Sequence, residues 1–309
     1  MKYNLLYFIQ SILIVALSPL FIGILKKMKA TLRGYKGSSI IQPYYDLSKL
    51  LKKRRIISNR ASFITTIGPI VILGATITTA FFVPVFYTSM EETIGNLFIL
   101  IFAFGIVKIF TILIGLDSGS TFGGMGSSRE AFISMMAEPL ILFMITFLYI
   151  ETKDFNIFHV SFINSKITHY DKAHLIAMVT FVIAILAENA RIPFDNPETH
   201  LELTMMHEAM ILDLSGSDLA YVELSSYIKL IIYLIILINC FIPMGIATTF
   251  TASALFIGFL TFIFKLLFCL LGIAIIETTF AKSRLFRGAE LFPASISLGI
   301  IAITLIYIL

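Results

Sequence analysis

Long apolar runs dominate the sequence and constrain its fold more than any other feature. A helix needs roughly 20 mostly apolar residues to cross the hydrocarbon core of a bilayer. The chain is 58% hydrophobic and 14% charged, whereas soluble domains are about 45–50% apolar and about 25% charged. This excludes an ordinary soluble enzyme, a disordered chain and a nucleic-acid-binding protein. The candidate spans are Tyr3–Leu25, Phe63–Phe86, Ile94–Ile114, Ala131–Ile150, His174–Ala187, Ile228–Pro243, Ala252–Ile276 and Leu291–Leu309.

We therefore predict an all-α integral membrane protein with about eight transmembrane helices, in which residues 1–309 form one polytopic membrane domain. Loop 1 (residues 26–62) holds 11 of the 23 Lys and Arg residues. Short basic loops stay in the cytoplasm, so this loop predicts a multi-pass protein with both termini external. With about eight spans, the cytoplasmic loops would be 26–62, a flexible glycine-rich loop 115–129, loop 5 (188–227) and 277–290.

Loop 1 contains a segment with helical periodicity. Between Ile40 and Leu51, apolar residues recur at three- and four-residue spacing, while Asp46 and Lys49 fall on the other face. This pattern predicts an amphipathic helix lying along the membrane surface. Lipid headgroups and a docked protein are equally good partners for its polar face.

Several charged residues lie within the apolar runs. Lys108 is in the third run, Glu130 and Glu138 belong to the fourth, and Lys265 is in the middle of the seventh. A charge at mid-bilayer costs about 2.5–3.5 kcal/mol, so such residues normally face the bundle interior and mark ion pathways. We expect buried positions for Glu138 and Lys265. The structural alternative is a buried ion pair, for example Lys108 with Glu138.

Loop 5 is acidic, with eight carboxylates and the single base Arg191. Pro193 and Pro197 would stop the preceding helix. The pair His207-Glu208 lacks the second histidine of a zinc metalloprotease helix, because position 211 is Ile211. We therefore predict no metal site in this chain. A solvated loop and a functional one are both compatible with the charge pattern, whose acids are Glu188, Asp195, Glu198, Glu202, Glu208, Asp213, Asp218 and Glu223.

Residues 187–198 resemble the signature of a membrane-subunit family of complex I, NADH-quinone oxidoreductase subunit 1, which is roughly A-E-T-N-R-x-P-F-D-x-P-E. The matching positions are Glu188, Arg191, Pro193, Phe194, Asp195, Pro197 and Glu198, followed by Glu202-Leu203 and by Asp213 in place of a glutamate. Loop 1 is similar to the family element Q-P-x-x-D-x-x-K-L. Segments around Gly115–Ser120, Glu138-Pro139, Lys265 and Glu277 resemble the membrane subunit of group 4 energy-converting hydrogenases, of the hydrogenase-4 component C and formate hydrogenlyase subunit 4 type.

The resemblance implies an anchoring and coupling subunit of an oxidoreductase, placed between a soluble redox arm and antiporter-like membrane subunits in a bacterial or archaeal cytoplasmic membrane. It would link redox chemistry to proton or sodium translocation. The implied coupling residues are Glu138, Glu130, Lys108, Lys265, Glu188, Arg191, Asp195, Glu198, Glu202 and Asp213. The implied docking residues are Arg33, Gln42, Pro43, Asp46 and Lys49.

The implied partners are hydrogenase-like large and small subunits and an iron–sulfur subunit, which would hold the nickel–iron and iron–sulfur centres, in addition to the lipid bilayer. No cofactor is expected on this chain. His200 replaces a family acid and Gly37-Ser38 replaces Gly-Pro, and these departures favour the hydrogenase branch over quinone binding. The alternatives are the quinone-site subunit of an NADH-quinone oxidoreductase, a passive anchor and a stand-alone ion transporter.

Overall fold

The computed structural model describes residues 2–58, 61–91, 94–166, 171–195, 205–281 and 290–308. Within these ranges the chain is helical, and pairing between extended segments is limited to isolated bridges. The helices are α1 (Lys2–Leu32), α2 (Gln42–Lys52), α3 (Phe63–Phe81), α4 (Leu97–Asp117), α5 (Thr121–Thr152), α6 (Ile157–Asn164), α7 (Lys172–Glu188), α8 (His207–Ile211), α9 (Ser217–Phe241), α10 (Ala252–Thr279) and α11 (Leu291–Ile308).

Seven of the described helices are long and apolar enough to cross a membrane: α1, α3, α4, α5, α9, α10 and α11. The fifth predicted span corresponds to α7, which has 17 residues and is therefore about 25 Å long. That length is at the lower limit for a spanning helix. The all-α membrane fold is confirmed, and α7 is the shortest of its eight candidate spans.

The central helix of the bundle is α9. Every residue from Ile228 to Phe241 is buried, as expected for a helix that is apolar on all sides. It packs against α1, α3, α7 and α10. On the other side of the bundle, α11 packs against α5 and α7, and α4 packs against both α3 and α5. The contacts of α9 therefore link α1, α3, α7 and α10 within one bundle.

Three predicted loops are shorter than expected, because helices continue beyond their apolar runs. The segment 115–129 is mostly helical: α4 ends at Asp117, and α5 begins at Thr121 after the N-cap Ser120. Its glycines allow close packing, since a Cβ on Gly115 would lie 2.4 Å from Ser127 Oγ. Likewise, α1 extends to residue 32 within loop 1, and α9 begins at residue 217 within loop 5.

The predicted amphipathic helix of loop 1 is α2, and loop 1 is fastened to loop 5. The guanidinium of Arg55 donates to the carboxylate of Asp218. The hydroxyl of Ser215 accepts from the N–H of Ile56 and donates to its carbonyl, both at 2.8 Å. Gly216 has a φ of +58°, and a Cβ there would lie 2.8 Å from a loop 1 carbonyl oxygen. We call this end of the bundle the loop 1 end.

Helices α1 and α2 meet at a glycine. A Cβ built on Gly23 would lie 1.9 Å from the carbonyl oxygen of Ile40, so Gly23→Ala has to push the two segments apart. Overpacking of this kind costs about 1–3 kcal/mol, and we expect a lower unfolding temperature for the purified protein in detergent. Gly74→Ala is the control, because its Cβ would meet nothing within 4 Å. Equal unfolding temperatures for the two variants would contradict this interpretation.

Candidate functional site

A cavity of about 340 Å³ opens among α1, α4, α7 and α9 near the loop 1 end of the bundle. Part of its wall is apolar, including Ile22, Leu25 and Val107. The rest is unusually charged for a membrane domain. Nine acidic or basic side chains line it, namely Lys26, Lys29, Lys108, Glu130, Glu188, Arg191, Glu208, Glu223 and Lys229. Such a density of ionisable groups at this depth indicates a functional site.

Glu188 is the centre of the deepest charged cluster. It is the last residue of α7 and is 6% exposed. Lys108 Nζ lies 3.2 Å from its Oε1, and Lys229 Nζ lies 3.2 Å from its Oε2. Lys229 also donates to the backbone carbonyl of Glu188 at 2.9 Å, which satisfies one of the carbonyls that a helix end leaves free. One carboxylate therefore joins α4, α7 and α9.

The cluster is completed by Glu130 on α5, whose Oε1 lies 3.4 Å from Lys108 Nζ. We refer to Lys108, Glu130, Glu188 and Lys229 as the Glu188 cluster. Its two lysines and two carboxylates are all buried. A buried charge is tolerated only when it is paired and hydrogen-bonded, so each member depends on the others. Movement of one lysine would change the proton affinity of the carboxylate beside it.

A second cluster lies against the same cavity. Glu277, near the end of α10, is 3% exposed. Its Oε2 lies 2.8 Å from Lys29 Nζ, and its Oε1 accepts from Arg191 Nη1 at 3.1 Å. Because Lys29 is on α1 and Arg191 follows α7, this Glu277 cluster joins three separate parts of the chain.

The structure corrects the predictions for Glu138 and Lys265. Glu138 is exposed on the outer face of α5, and Lys108 pairs with Glu130 and Glu188 instead. Eight helical residues turn through about 800°, which leaves Glu138 about 80° from Glu130 around the helix. Lys265 is half-buried and donates to the carbonyls of Ile242 and Met244, beyond the end of α9. It caps that helix and stays outside both clusters.

The predicted loop 5 residues lie in different environments. Asp195 is 2% exposed, and its Oδ2 accepts from the backbone N–H of His207 at 3.1 Å. Asp195 therefore holds the start of α8 in place. Asp213 is exposed. Glu198 and Glu202 lie outside the described residues.

The predicted docking residues of loop 1 are mostly at the surface. Arg33, Gln42 and Lys49 are exposed, and Asp46 is half-buried and accepts from Gln42 Nε2 at 2.9 Å. Pro43 is buried. The polar face of α2 is therefore open, as the amphipathic pattern predicted, while Pro43 fixes the helix against the bundle.

A column of packed aromatic rings separates the Glu188 cluster from the opposite end of the bundle. Lys229 Nζ lies 5.8 Å from the centre of the Tyr233 ring. The ring of Phe181 lies 6.4 Å from that of Tyr233 and 5.8 Å from that of Phe241, and Phe241 stacks on Phe147 at 6.4 Å. The four rings are 0–3% exposed. They form a column of buried aromatic side chains within the bundle.

A family model described as NADH dehydrogenase matches residues 4–308. The chain belongs to this family. Membership confirms the predicted resemblance to the NADH-quinone oxidoreductase subunit 1 family of complex I.

Two curated members of this NADH dehydrogenase family come from Escherichia coli strain K12. Formate hydrogenlyase subunit 4 is 29% identical over 282 residues, covering 90% of each chain. Hydrogenase-4 component C is 26% identical over 276 residues, covering 89% of this chain and 87% of that protein. The fold is shared with a chain of the membrane-bound sulfane sulfur reductase, an archaeal respiratory membrane complex. That chain has a TM-score of 0.78 and 19% identity, with 96% of this chain and 98% of that chain covered.

Three residues of the Glu188 and Glu277 clusters in this family member are not among the predicted coupling residues: Lys29, Lys229 and Glu277. Lys29 was counted as part of loop 1 because the apolar run ends at residue 25, whereas α1 continues to residue 32. Lys229 and Glu277 lie at the ends of the apolar runs 228–243 and 252–276, where long side chains can reach the interface. If each helix is taken to continue beyond its apolar run, these residues fall inside the bundle, and this continuation is the sequence feature that could have identified them.

Within the described ranges, the chain contains no group of three or more His, Cys, Asp or Glu side chains that could hold a metal ion. Cys240 is buried and Cys269 is half-buried, and both are free thiols. The site described above consists of paired carboxylates, lysines and an arginine.

Proposed function

We propose that this protein is the anchoring and coupling subunit of a membrane-bound oxidoreductase of the group 4 hydrogenase or complex I type. In this role it links redox chemistry in soluble subunits to proton or sodium translocation. The observation that carries the proposal is the Glu188 cluster, a buried set of two carboxylates and two lysines at the base of a charged cavity. Ionisable residues at this depth normally serve ion pathways.

The soluble arm would dock at the loop 1 end. The basic character of loop 1 supports a cytoplasmic position for this end and external positions for both termini, in a cytoplasmic membrane. The exposed residues Arg33, Gln42 and Lys49 would contact the soluble subunits. Hydrogenase-like large and small subunits and an iron–sulfur subunit would carry the nickel–iron and iron–sulfur centres. Redox events there would act on the cavity through Arg191 and Asp195.

The translocated ion would leave the cavity laterally, through the side of the helix bundle and not along its axis. The aromatic column closes the direct way through the bundle. Tyr233, whose ring centre lies 5.8 Å from Lys229 Nζ, is close to both Glu188 and Glu138. Glu138 lies midway along α5 on an exposed stripe with Met135 and Leu142. A charge facing lipid at this depth costs about 2.5–3.5 kcal/mol, which supports coverage of Glu138 by an antiporter-like membrane subunit.

The alternative of a quinone-site subunit is favoured by one observation, the cavity itself, whose volume is adequate for a small ligand. Its lining favours the ion-coupling function. Nine charged side chains line the cavity, and the isoprenoid chain of a quinone would displace water from them. The free-energy cost is high, because these groups would lose water without gaining hydrogen bonds.

The test of the proposed function is Glu138→Gln in the assembled complex. We expect ion translocation to be abolished while assembly and the soluble redox reaction are retained. The reason is that Glu138 has no ion pair or hydrogen bond among the described residues, so its loss removes a proton carrier without breaking a structural contact. Translocation is measured by a pH-sensitive dye in proteoliposomes, together with the redox rate of the same sample.

Met135→Leu provides the matched control, since Met135 is 67% exposed on the same stripe of α5 and the substitution changes no charge. It should leave both rates unchanged. Normal translocation by Glu138→Gln in a well-coupled preparation would overturn the proposed route. A passive anchor predicts that neither variant affects translocation.

A further inference from the structure

A further ionisable pair, of buried His174 and half-buried Glu151, lies at the end of the bundle opposite loop 1. His174, in the first turn of α7, is 2% exposed, and Glu151, near the end of α5, has a side chain that is 20% exposed. His174 Nδ1 lies 2.9 Å from Glu151 Oε1. His174 Nε2 lies 3.0 Å from the backbone carbonyl of Phe241, the last residue of α9. The imidazole therefore joins the ends of three helices.

The hydrogen-bond partners of this imidazole determine how many protons it shares with Glu151. A backbone carbonyl can only accept a hydrogen bond, so Nε2 must carry a proton. The contact between Nδ1 and Oε1 then needs one more proton, since two lone pairs would otherwise face each other. This proton is either on the imidazole, giving an ion pair, or on the carboxyl, giving a neutral pair. In both cases the two side chains share one ionisable proton.

The titratable groups near the pair include Asp171 at the start of α7, close to His174, and the Cys240 thiol on α9, close to Glu151. From α6, the neutral amide of Asn164 donates to the carbonyl of Cys240 at 2.8 Å. Helix α11, which also packs on α7, contains no Asp, Glu, Lys, Arg or His.

Two buried acceptors mark this region as a binding site for a mobile donor. Glu151 Oε2 and Asn164 Oδ1 are both buried and have no hydrogen-bond partner among the described residues. Buried polar atoms are rarely left without a partner, and an ordered water or ion is the usual explanation. A water on Glu151 Oε2 would connect the shared proton to bulk solvent through the exposed part of the same side chain.

We propose that His174 and Glu151 form a proton-binding site that exchanges with water at the bundle end opposite the charged cavity. Loss of its proton leaves a neutral imidazole and a carboxylate and transfers the proton to water. The site is isolated from the Glu188 cluster by the aromatic column, since Phe241 lies 5.2 Å from the His174 ring and belongs to that column. His174 is 14 residues from Glu188 along α7, about 21 Å. The site therefore senses the pH at one end only.

The experiment is side-specific pH titration of the complex in oriented proteoliposomes, followed by infrared difference spectroscopy. Alkalinisation at the end opposite loop 1 should produce a signal from loss of a carboxylic acid or imidazolium proton. We expect this signal to be lost in both Glu151→Gln and His174→Gln. A change of pH at the loop 1 end should produce no such signal. The use of two variants keeps the test decisive if one of them assembles poorly.

His159→Gln is the matched control. His159 Nδ1 lies 2.6 Å from Asp154 Oδ2 at the same end of the bundle. Burial opposes ionisation of Asp154, but hydrogen bonds from the N–H of Asn156 and from His159 outweigh it and hold the pKa of Asp154 below its usual value. The His174–Glu151 signal should persist in this variant and also in Glu138→Gln, which tests the proposed function separately. Its persistence in His174→Gln, or a response to pH at the loop 1 end, would overturn the inference.

Discussion

Replacement of Glu188 by glutamine is expected to abolish coupled ion translocation and to lower the free energy of unfolding by about 3–5 kcal/mol. The neutral amide would leave Lys108 and Lys229 buried with Glu130 as the one remaining carboxylate of the cluster, because each oxygen of Glu188 faces a different lysine. The soluble redox reaction should continue in complexes that assemble. Translocation and redox rates in proteoliposomes, with thermal unfolding in detergent, measure the two effects.

Glu130→Gln is the natural comparison for this variant. Glu130 and Glu188 are similarly buried and both pair with Lys108, but only Glu188 also pairs with Lys229 among the described residues. We therefore expect a smaller loss of stability for Glu130→Gln. If the two variants were equally stable, Glu188 would not be the centre of the cluster.

Stability and coupling can be separated by a second substitution. Lys229→Met removes the cation that Glu188→Gln leaves without a carboxylate and keeps a similar side-chain volume. Combined with Glu188→Gln, it should restore a large part of the lost stability, because replacing a buried ion pair by apolar groups is often neutral. Translocation should stay absent. Recovery of translocation with stability would reduce the cluster to a structural role.

The second large effect is expected for Glu277→Gln. This change removes the carboxylate that pairs with both Lys29 and Arg191, in a region where Glu277 is 3% exposed. Loss of one partner of a buried pair costs about 3–5 kcal/mol. The segment after α7 should then loosen from α1, which would be detected as faster backbone hydrogen exchange in residues 189–195.

Lys29→Met tests the same cluster from its other side. It leaves the Glu277–Arg191 pair intact, so exchange in residues 189–195 should stay close to that of the unmodified protein. A double variant, Lys29→Met with Glu277→Gln, should exchange more slowly than Glu277→Gln alone. Equal exchange in all three variants would show that the cluster does not hold this segment.

The sequence was sufficient for the membrane fold and for most of the charged residues of the site. Apolar runs give the first residues of α10 and α11, Ala252 and Leu291, because both helices begin where the hydrophobic sequence begins. The apolar runs begin too late for α5 and α9, because the first turns of both helices lie in polar sequence. Hydrophobicity reports contact with lipid, whereas helices continue wherever packing and capping allow.

The spacing of the charged residues along the sequence does not show which of them form ion pairs with each other. Glu130 and Glu138 are on the same helix, yet one is buried and the other is exposed, and the sequence favoured the wrong one as an interior residue. The orientation of α5 is determined by the glycines and by α7, α8 and α11 packed against it. Periodicity along one helix does not contain that information. The His174–Glu151 pair was missed for the same reason, since its members are 23 residues apart on different helices.

The contacts between Arg55 and Asp218 and between Ser215 and Ile56 have a consequence for assembly. They hold the part of loop 1 around residues 55–56 and the part of loop 5 around residues 215–218 in a fixed relation within the chain. A partner that binds both would meet a surface whose ordering cost was already met when the chain folded, so more of the contact free energy would go into affinity. The soluble arm would then associate as a rigid body, with electrostatic attraction setting its rate of encounter.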